Sequence, residues 1–128
     1  MPTRFARGIT LIELMVVVAI VAIIAAIAYP SFQNGLQHSR RADAFKTLLT
    51  MQLKQEEYRI SNTEYSKNVA DLGNPSSSYY SFSVVAASTG AATYKLQAQA
   101  IGAQSSDSGC TLLTITKADV KSPPDCWN

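Results

Sequence analysis

The hydrophobic and polar positions divide the chain into two parts. Every residue from Leu14 to Ala28 is apolar, whereas polar and charged residues are interspersed among apolar ones after Pro30. With Thr10 and Glu13 as the only polar interruptions, the apolar stretch covers 9–29, which as a helix is about 31 Å long. A bilayer core is about 30 Å thick. The pattern therefore predicts a membrane-spanning helix followed by a water-soluble body.

A second helical pattern begins at Leu36 and continues to about residue 60. Its apolar residues recur at three- and four-residue steps, which predicts a stripe that packs on a sheet; they are Ala42, Phe45, Leu48, Leu49 and Leu53. Pro30 and Gly35 lie between the two patterns. Proline removes a main-chain donor, and glycine lowers helix propensity by about 1 kcal/mol. We therefore expect a kink or a locally melted stretch at Pro30 and Gly35, and a static kink satisfies the sequence equally well.

Three later segments alternate between apolar and polar residues, at 79–87, 93–101 and 111–116. Such alternation predicts strands with one buried face. In the first strand the predicted buried residues are Tyr80, Phe82, Val84 and Ala86. The segment 61–78 is polar and reads as a loop. We therefore predict an α+β fold, in which the long amino-terminal helix packs on a small antiparallel sheet of three to four strands.

The chain contains two cysteines, Cys110 and Cys126, both near the carboxyl terminus. In an exported chain such a pair indicates a disulfide formed in an oxidising compartment. Free thiols and metal binding are the alternatives. Two cysteines without flanking histidines do not complete a four-ligand zinc site, which makes the metal alternative weaker.

The net charge of +2 comes entirely from Arg4 and Arg7, which precede the apolar segment. Basic residues stay on the cytoplasmic side of a membrane helix, so the body is predicted to face the opposite side. A neutral body lacks the excess of basic side chains on which DNA binding depends. A basic stripe would require Arg40, Arg41, Lys117 and Lys121 to gather in space. We therefore expect no specific nucleic acid.

Glu13 is the unusual residue of the apolar segment. An ionised carboxylate inside a bilayer costs at least about 2.5 kcal/mol on insertion scales. A simple membrane anchor gains nothing from it, and neither does a secretory signal cleaved after the A-x-A pattern at 26–28. An intramembrane ionisable side chain points to a functional role with a definite partner.

A short basic leader, Gly8, Ile9, Glu13 and a long apolar helix follow one another in this chain. This order resembles the class III signal of type IV pilins and pseudopilins. The resemblance implies cleavage between Gly8 and Ile9 by the prepilin peptidase, which also methylates the new amino terminus at Ile9. The family usually has Phe at the position of Ile9, and the apolar character is retained here.

The resemblance also implies a division into a leader (1–8), a membrane and filament-core helix (9–30) and a periplasmic globular head (31–128). Glu13 is expected to pair with the free amino terminus of a neighbouring subunit, since a buried charge is tolerated only when paired. The implied partners are the peptidase, the inner-membrane assembly platform and other pilins in a helical filament. The chain would lie in the inner membrane before assembly and in the extracellular pilus afterwards, without a cofactor.

The ending between Cys110 and Trp127 resembles the disulfide region of minor pilins of the PilE type, which implies a bond from Cys110 to Cys126. The predicted function is a minor pilin needed for pilus assembly or priming, and hence for twitching motility or adhesion. Trp127 is expected to contact a neighbouring subunit or, more commonly, to cover an edge of the core.

Three other functions compete with this one. A type II secretion pseudopilin would carry a calcium loop, yet the acidic residues Asp107, Asp119 and Asp125 are scattered. A competence pilin for DNA uptake would need the basic stripe considered above. An anchored enzyme is the weakest alternative, because His38 is the only histidine and no catalytic motif accompanies it.

Overall fold

A computed structural model describes residues 7–128 of the chain. Arg4 and most of the predicted leader (1–8) lie outside the described residues. The chain divides into two compact units, the first ending at Leu36 and the second comprising Gln37–Asn128. We call the second unit the head.

One helix dominates the secondary structure. Helix α1 is Leu11–Ser61, and its helical hydrogen-bonding pattern includes Pro30 and Gly35 without a break. The structure therefore shows no locally melted stretch at Pro30 and Gly35. The helix continues through Pro30 although proline lacks a main-chain N–H donor. The kink at Pro30 and Gly35 stays a prediction.

The head contains a four-stranded antiparallel sheet whose spatial order follows the chain order. Its strands are β1 (Tyr80–Val84), β2 (Lys95–Ala100), β3 (Leu112–Thr116) and β4 (Lys121–Ser122). The register places Phe82 opposite Ala98, and Ala98 opposite Leu113. The apolar residues of three adjacent strands therefore share one face, and the predicted helix-on-sheet architecture is confirmed.

The helix face that packs on the sheet differs from the predicted one. The buried residues of α1 are Ala44, Leu48, Met51 and Gln55. Leu48 and the flanking Phe45 belong to the core as predicted, but Ala42 is exposed, and 48% of Leu49 and 61% of Leu53 are accessible to solvent. The prediction was wrong for these three residues because the helix carries apolar residues on two faces. Periodicity alone does not say which face meets the sheet.

The strand predictions need two smaller corrections. Ala86 was predicted to be buried in the first strand, but it is exposed in a short 3-10 turn, Ala86–Ser88, that follows β1. The second correction is β4, a two-residue edge strand that pairs with β3 and is followed directly by Pro123 and Pro124. A strand this short leaves no alternating pattern in the sequence.

The loop after α1 is anchored by Tyr65 and Leu72, both of which are buried. The fully buried amide of Gln55 holds the same loop by exchanging two hydrogen bonds with the main chain of Ser66, at 2.8 and 2.9 Å. Tyr94 packs edge-on against Tyr65. Burial, assisted by the nearby Glu56 carboxylate, raises the pKa of Tyr94 to about 12. These residues fix the end of the head at which α1 terminates.

The carboxyl-terminal tail is closed by the predicted disulfide between Cys110 and Cys126. The Trp127 ring stacks on Phe45 of α1, with ring centroids 4.3 Å apart. Of the two roles considered for Trp127, the structure therefore shows the one in which it covers an edge of the core.

Candidate functional site

The first unit presents a long apolar surface. Every residue from Arg7 to Phe32 is exposed, and α1 is the one helix among residues 7–128 that is long and apolar enough to cross a membrane. An exposed apolar surface of this extent requires cover from lipid or from other protein. Its side chains do not serve the fold of the head, so their use lies in contacts outside the chain.

Glu13 has a local role that the sequence analysis did not anticipate. Helix α1 begins at Leu11, so Thr10 occupies the N-cap position and Glu13 the third helical position. The main-chain N–H of Glu13 donates to Thr10 Oγ1 at 3.2 Å. This is one half of a capping box, whose signal, T-x-x-E, is visible in the sequence. A carboxylate in the first helical turn also interacts favourably with the helix dipole.

The predicted cleavage point lies just before this cap. Residues 7–10 are exposed and outside the helix. Within residues 7–128, a Cβ atom built on Gly8 meets no atom within 4 Å, so the fold of these residues does not itself require glycine there. The peptide bond between Gly8 and Ile9 is thus sterically open, and a demand for glycine at this point would have to come from an enzyme that recognises it.

The four basic residues considered for a stripe do not form one. Arg41 is drawn into the head, where its Nε lies 2.9 Å from Asp107 Oδ2 and only 17% of its side chain is exposed. Arg40 lies over the ring of Tyr79. Lys121 lies 3.5 Å from an Asp119 carboxylate oxygen. Arg41 is therefore unavailable for a phosphate group, and the Asp107 carboxylate already has a cationic partner.

A different pair of cations converges on one aromatic ring. The Arg59 guanidinium lies 5.8 Å and Lys117 Nζ 5.2 Å from the centroid of Tyr65. Hydrogen bonding with the Tyr65 hydroxyl raises the pKa of Lys117. Glu56 accepts a long hydrogen bond from the same hydroxyl, at 3.3 Å, and offsets part of the positive charge. We call Arg59, Tyr65 and Lys117 the cationic cluster.

Among residues 7–128, no group of three or more histidine, cysteine, aspartate or glutamate side chains is arranged to hold a metal ion. His38 is exposed on α1. Arg41, three residues later, is engaged with Asp107, so His38 and Arg41 do not form a joint anion-binding site.

The comparisons with known proteins agree with this arrangement. A family model described as "Type IV minor pilin ComP, DNA uptake sequence receptor" matches residues 30–114, more than half of the chain. The chain belongs to this family of type IV minor pilins. A second model, described as a prokaryotic N-terminal methylation motif, matches residues 3–29 of the pilin. The two matches together span both units, and the predicted identity as a minor type IV pilin is confirmed.

A solved structure of a type IV pilin from Shewanella oneidensis is similar to this pilin. It shares 27% sequence identity, the match covers 72% of this chain and 98% of that chain, and the TM-score is 0.57. No curated protein matches the sequence. The α+β fold predicted from the helix and strand patterns is therefore confirmed as a pilin fold by this solved structure.

Proposed function

We propose that this minor pilin is inserted in the inner membrane through residues 9–30, is cleaved between Gly8 and Ile9, and then joins a pilus in which its head is exposed. In this role it supports assembly or priming of the fibre, and hence twitching motility or adhesion. One observation carries the proposal: the apolar surface from Ile9 to Phe32 is fully exposed and holds a single carboxylate, that of Glu13. Lipid covers this surface before assembly, and other subunits cover it afterwards.

The second apolar face of α1 supports the same role for the head. Leu49 and Leu53 are four residues apart, so they lie one above the other on the helix. Both are exposed, as are Ala42, seven residues before Leu49, and Ile60, seven residues after Leu53. These four residues, which we call the outer stripe, lie apart from the core-facing residues of α1. A helix that is apolar on two faces has a partner on each, and the sheet covers only one.

The outer stripe gives a direct test of the proposal. Deleting the pilin is expected to abolish surface fibres, and wild-type complementation to restore them with few copies of this chain in sheared material. Complementation with the double variant Leu49→Gln, Leu53→Gln is expected to lower the copy number at least about 30-fold, since each leucine contributes about 1–2 kcal/mol of burial at a subunit contact. Quantitative mass spectrometry of sheared fibres, normalised to the dominant pilin, provides the measurement.

Lys54→Gln serves as the matched control, because Lys54 is a polar residue on the same helical turns whose Nζ bonds only to Glu57, at 2.7 Å. Its copy number should equal that of the wild type. Circular dichroism of the purified variants separates misfolding from poor incorporation. Unchanged fibres after deletion, or equal incorporation of the double variant, would contradict the proposal.

A second function, DNA reception during uptake, is favoured by the description of the matched family and by the cationic cluster. The charge balance of the sequence argues against DNA binding, because the body is neutral. The cluster nevertheless concentrates Arg59 and Lys117 beside an aromatic ring, and cations combined with aromatic side chains suit nucleic acid. Arg41 is excluded from this surface by its pairing with Asp107.

The DNA function is tested with full-length pilin in detergent and fluorescent duplex DNA at fixed salt concentration. Removing both cations by Arg59→Ala and Lys117→Ala should weaken binding about tenfold and reduce the salt slope by about two. Lys67→Ala is the control, because Lys67 lies in the same loop region but is paired with Glu64. Wild-type binding that the double variant leaves unchanged would exclude the cluster. An absence of any binding at low salt would exclude the function while leaving the assembly role intact.

A further inference from the structure

Two residues that flank the disulfide contact consecutive turns of the same helix. Asp107 lies three residues before Cys110 and contacts Arg41, whereas Trp127 directly follows Cys126 and stacks on Phe45. Arg41 and Phe45 are four residues apart on α1, hence neighbours on one helical face. The bond from Cys110 to Cys126 therefore joins the two points at which the tail holds the helix. We call Asp107, Cys110, Cys126 and Trp127 the disulfide bracket.

The Asp107 contact is a buried polar network. Arg41 Nε lies 2.9 Å from Asp107 Oδ2, and their side chains are 17% and 7% exposed. The fully buried Gln104 donates from Nε2 to the same carboxylate oxygen at 2.9 Å and to the main-chain oxygen of Gln37 at 3.2 Å. It also lies within hydrogen-bonding distance of the Tyr80 hydroxyl. The first head turn of α1 is thus held by polar groups of the segment that precedes Cys110.

This network is incompletely satisfied. Within the described part of the chain, Arg41 Nε has no well-aligned hydrogen-bond partner despite its short distance to Asp107, and Gln104 Oε1 has none. A buried network with unsatisfied members contributes less to stability than a complete one. It therefore depends on the surrounding covalent structure to stay closed.

The Trp127 contact is apolar, and it too forms only when the tail is held in place. Its ring is nearly parallel to that of Phe45, at 12°, and Lys121 Nζ lies 5.6 Å from the ring of Trp127. The tail is otherwise held to the sheet by β4, which has only two residues. The disulfide joins cysteines that are 16 positions apart in the sequence. It restrains the tail, which the short strand β4 cannot do alone.

We infer that the disulfide bracket makes docking of the first head turns of α1, residues 37–48, conditional on oxidation. With the bond formed, Asp107 and Trp127 are held at the spacing of one helical turn. Asp107 then contacts Arg41 at the same time as Trp127 contacts Phe45. With the bond reduced, each contact must form alone, and this part of the helix opens locally. The later turns are held by a separate device, the amide exchange between Gln55 and Ser66. A head that has not been oxidised is therefore folded but has a loosened helix.

Hydrogen exchange of the full-length pilin in detergent, followed by mass spectrometry, tests this inference. Reduction with a phosphine should accelerate exchange of residues 38–48 at least about tenfold, while 52–58 and β2 change less than about twofold. In the oxidised pilin, Asp107→Asn and Trp127→Leu should each accelerate the same segment. After reduction, each substitution should cause much less further acceleration of exchange, because the effects of contacts that act as one unit are not additive.

Asp119→Asn is the matched control, since it removes an exposed ion pair with Lys121 inside the same disulfide loop. It should leave exchange of residues 38–48 unchanged in both redox states. Uniform acceleration throughout the head after reduction would overturn the inference, because the disulfide would then act on global stability. Acceleration confined to 117–127 would overturn it too, since the tail and the helix would then be uncoupled. A Cys110→Ser, Cys126→Ser variant that folds should reproduce the reduced pattern.

Discussion

Replacing Glu13 by alanine is expected to leave cleavage after Gly8 intact and to lower incorporation into fibres about 100-fold. Removing one partner of a buried ion pair costs about 3–5 kcal/mol, because the other charge is left unpaired. A factor of ten in an equilibrium corresponds to about 1.4 kcal/mol, so the expected loss is at least two orders of magnitude. The copy number in sheared fibres, divided by the amount of processed protein in the envelope, measures this effect.

The capping box provides the control for Glu13. Thr10→Ala removes the oxygen that accepts from the Glu13 main-chain N–H but keeps the carboxylate, and loss of a cap costs about 1 kcal/mol. Its incorporation should fall no more than about fivefold. If Thr10→Ala and Glu13→Ala have equal effects, Glu13 acts through the helix start and the proposed pairing with a neighbouring amino terminus is wrong. Normal incorporation of Glu13→Ala would refute the pairing as well.

Replacing Gly8 by valine should block removal of the leader and eliminate the pilin from fibres. Among the described residues, a Cβ atom at Gly8 meets no atom within 4 Å, so the variant should fold and insert like the wild type. The barrier would arise in the peptidase, which must accept the residue before the cleaved bond. Intact-mass measurement of envelope protein should give the full-length, unmethylated chain for the variant. For the wild type it should give a chain that begins at methylated Ile9.

Gly35→Ala is the matched glycine control for processing, because an added Cβ atom at Gly35 also meets nothing within 4 Å. It should be cleaved like the wild type. A processed Gly8→Val variant would show that recognition lies elsewhere in the segment. Wild-type protein that begins at Tyr29 would instead indicate an ordinary signal peptidase acting after the A-x-A pattern, and would remove the proposed processing site.

The sequence carried enough information for the fold because its periodic patterns are strong and local. The strand alternation predicts that Tyr80 and Phe82 are buried, and both are. The helix was harder, since Leu49 and Leu53 are as apolar as Leu48 and only the sheet decides which face is covered. The misassigned residues Ala42, Leu49 and Leu53 remain exposed. Under the proposed function they contact a neighbouring subunit, which the periodicity of a single chain does not reveal.

The candidate sites were predictable to different degrees. Gly8, Ile9 and Glu13 could be proposed from the sequence, because a processing signal is linear along the chain. The contact from Arg41 to Asp107 joins residues 66 positions apart, and no local pattern reveals such a pair. The capping role of Thr10 does leave a local signal, because the sequence T-x-x-E precedes an apolar run.

The two-residue strand β4 has a consequence for how copies of this pilin aggregate. Because Pro123 and Pro124 follow it directly, this border of the sheet offers few main-chain donors on which another chain could add a strand. Growth by open-ended sheet extension, which gives nearly irreversible amyloid-like polymers, is disfavoured there. Contacts between copies at this border are therefore left to side chains, which unlike a long open strand edge give no template for unlimited addition of further chains.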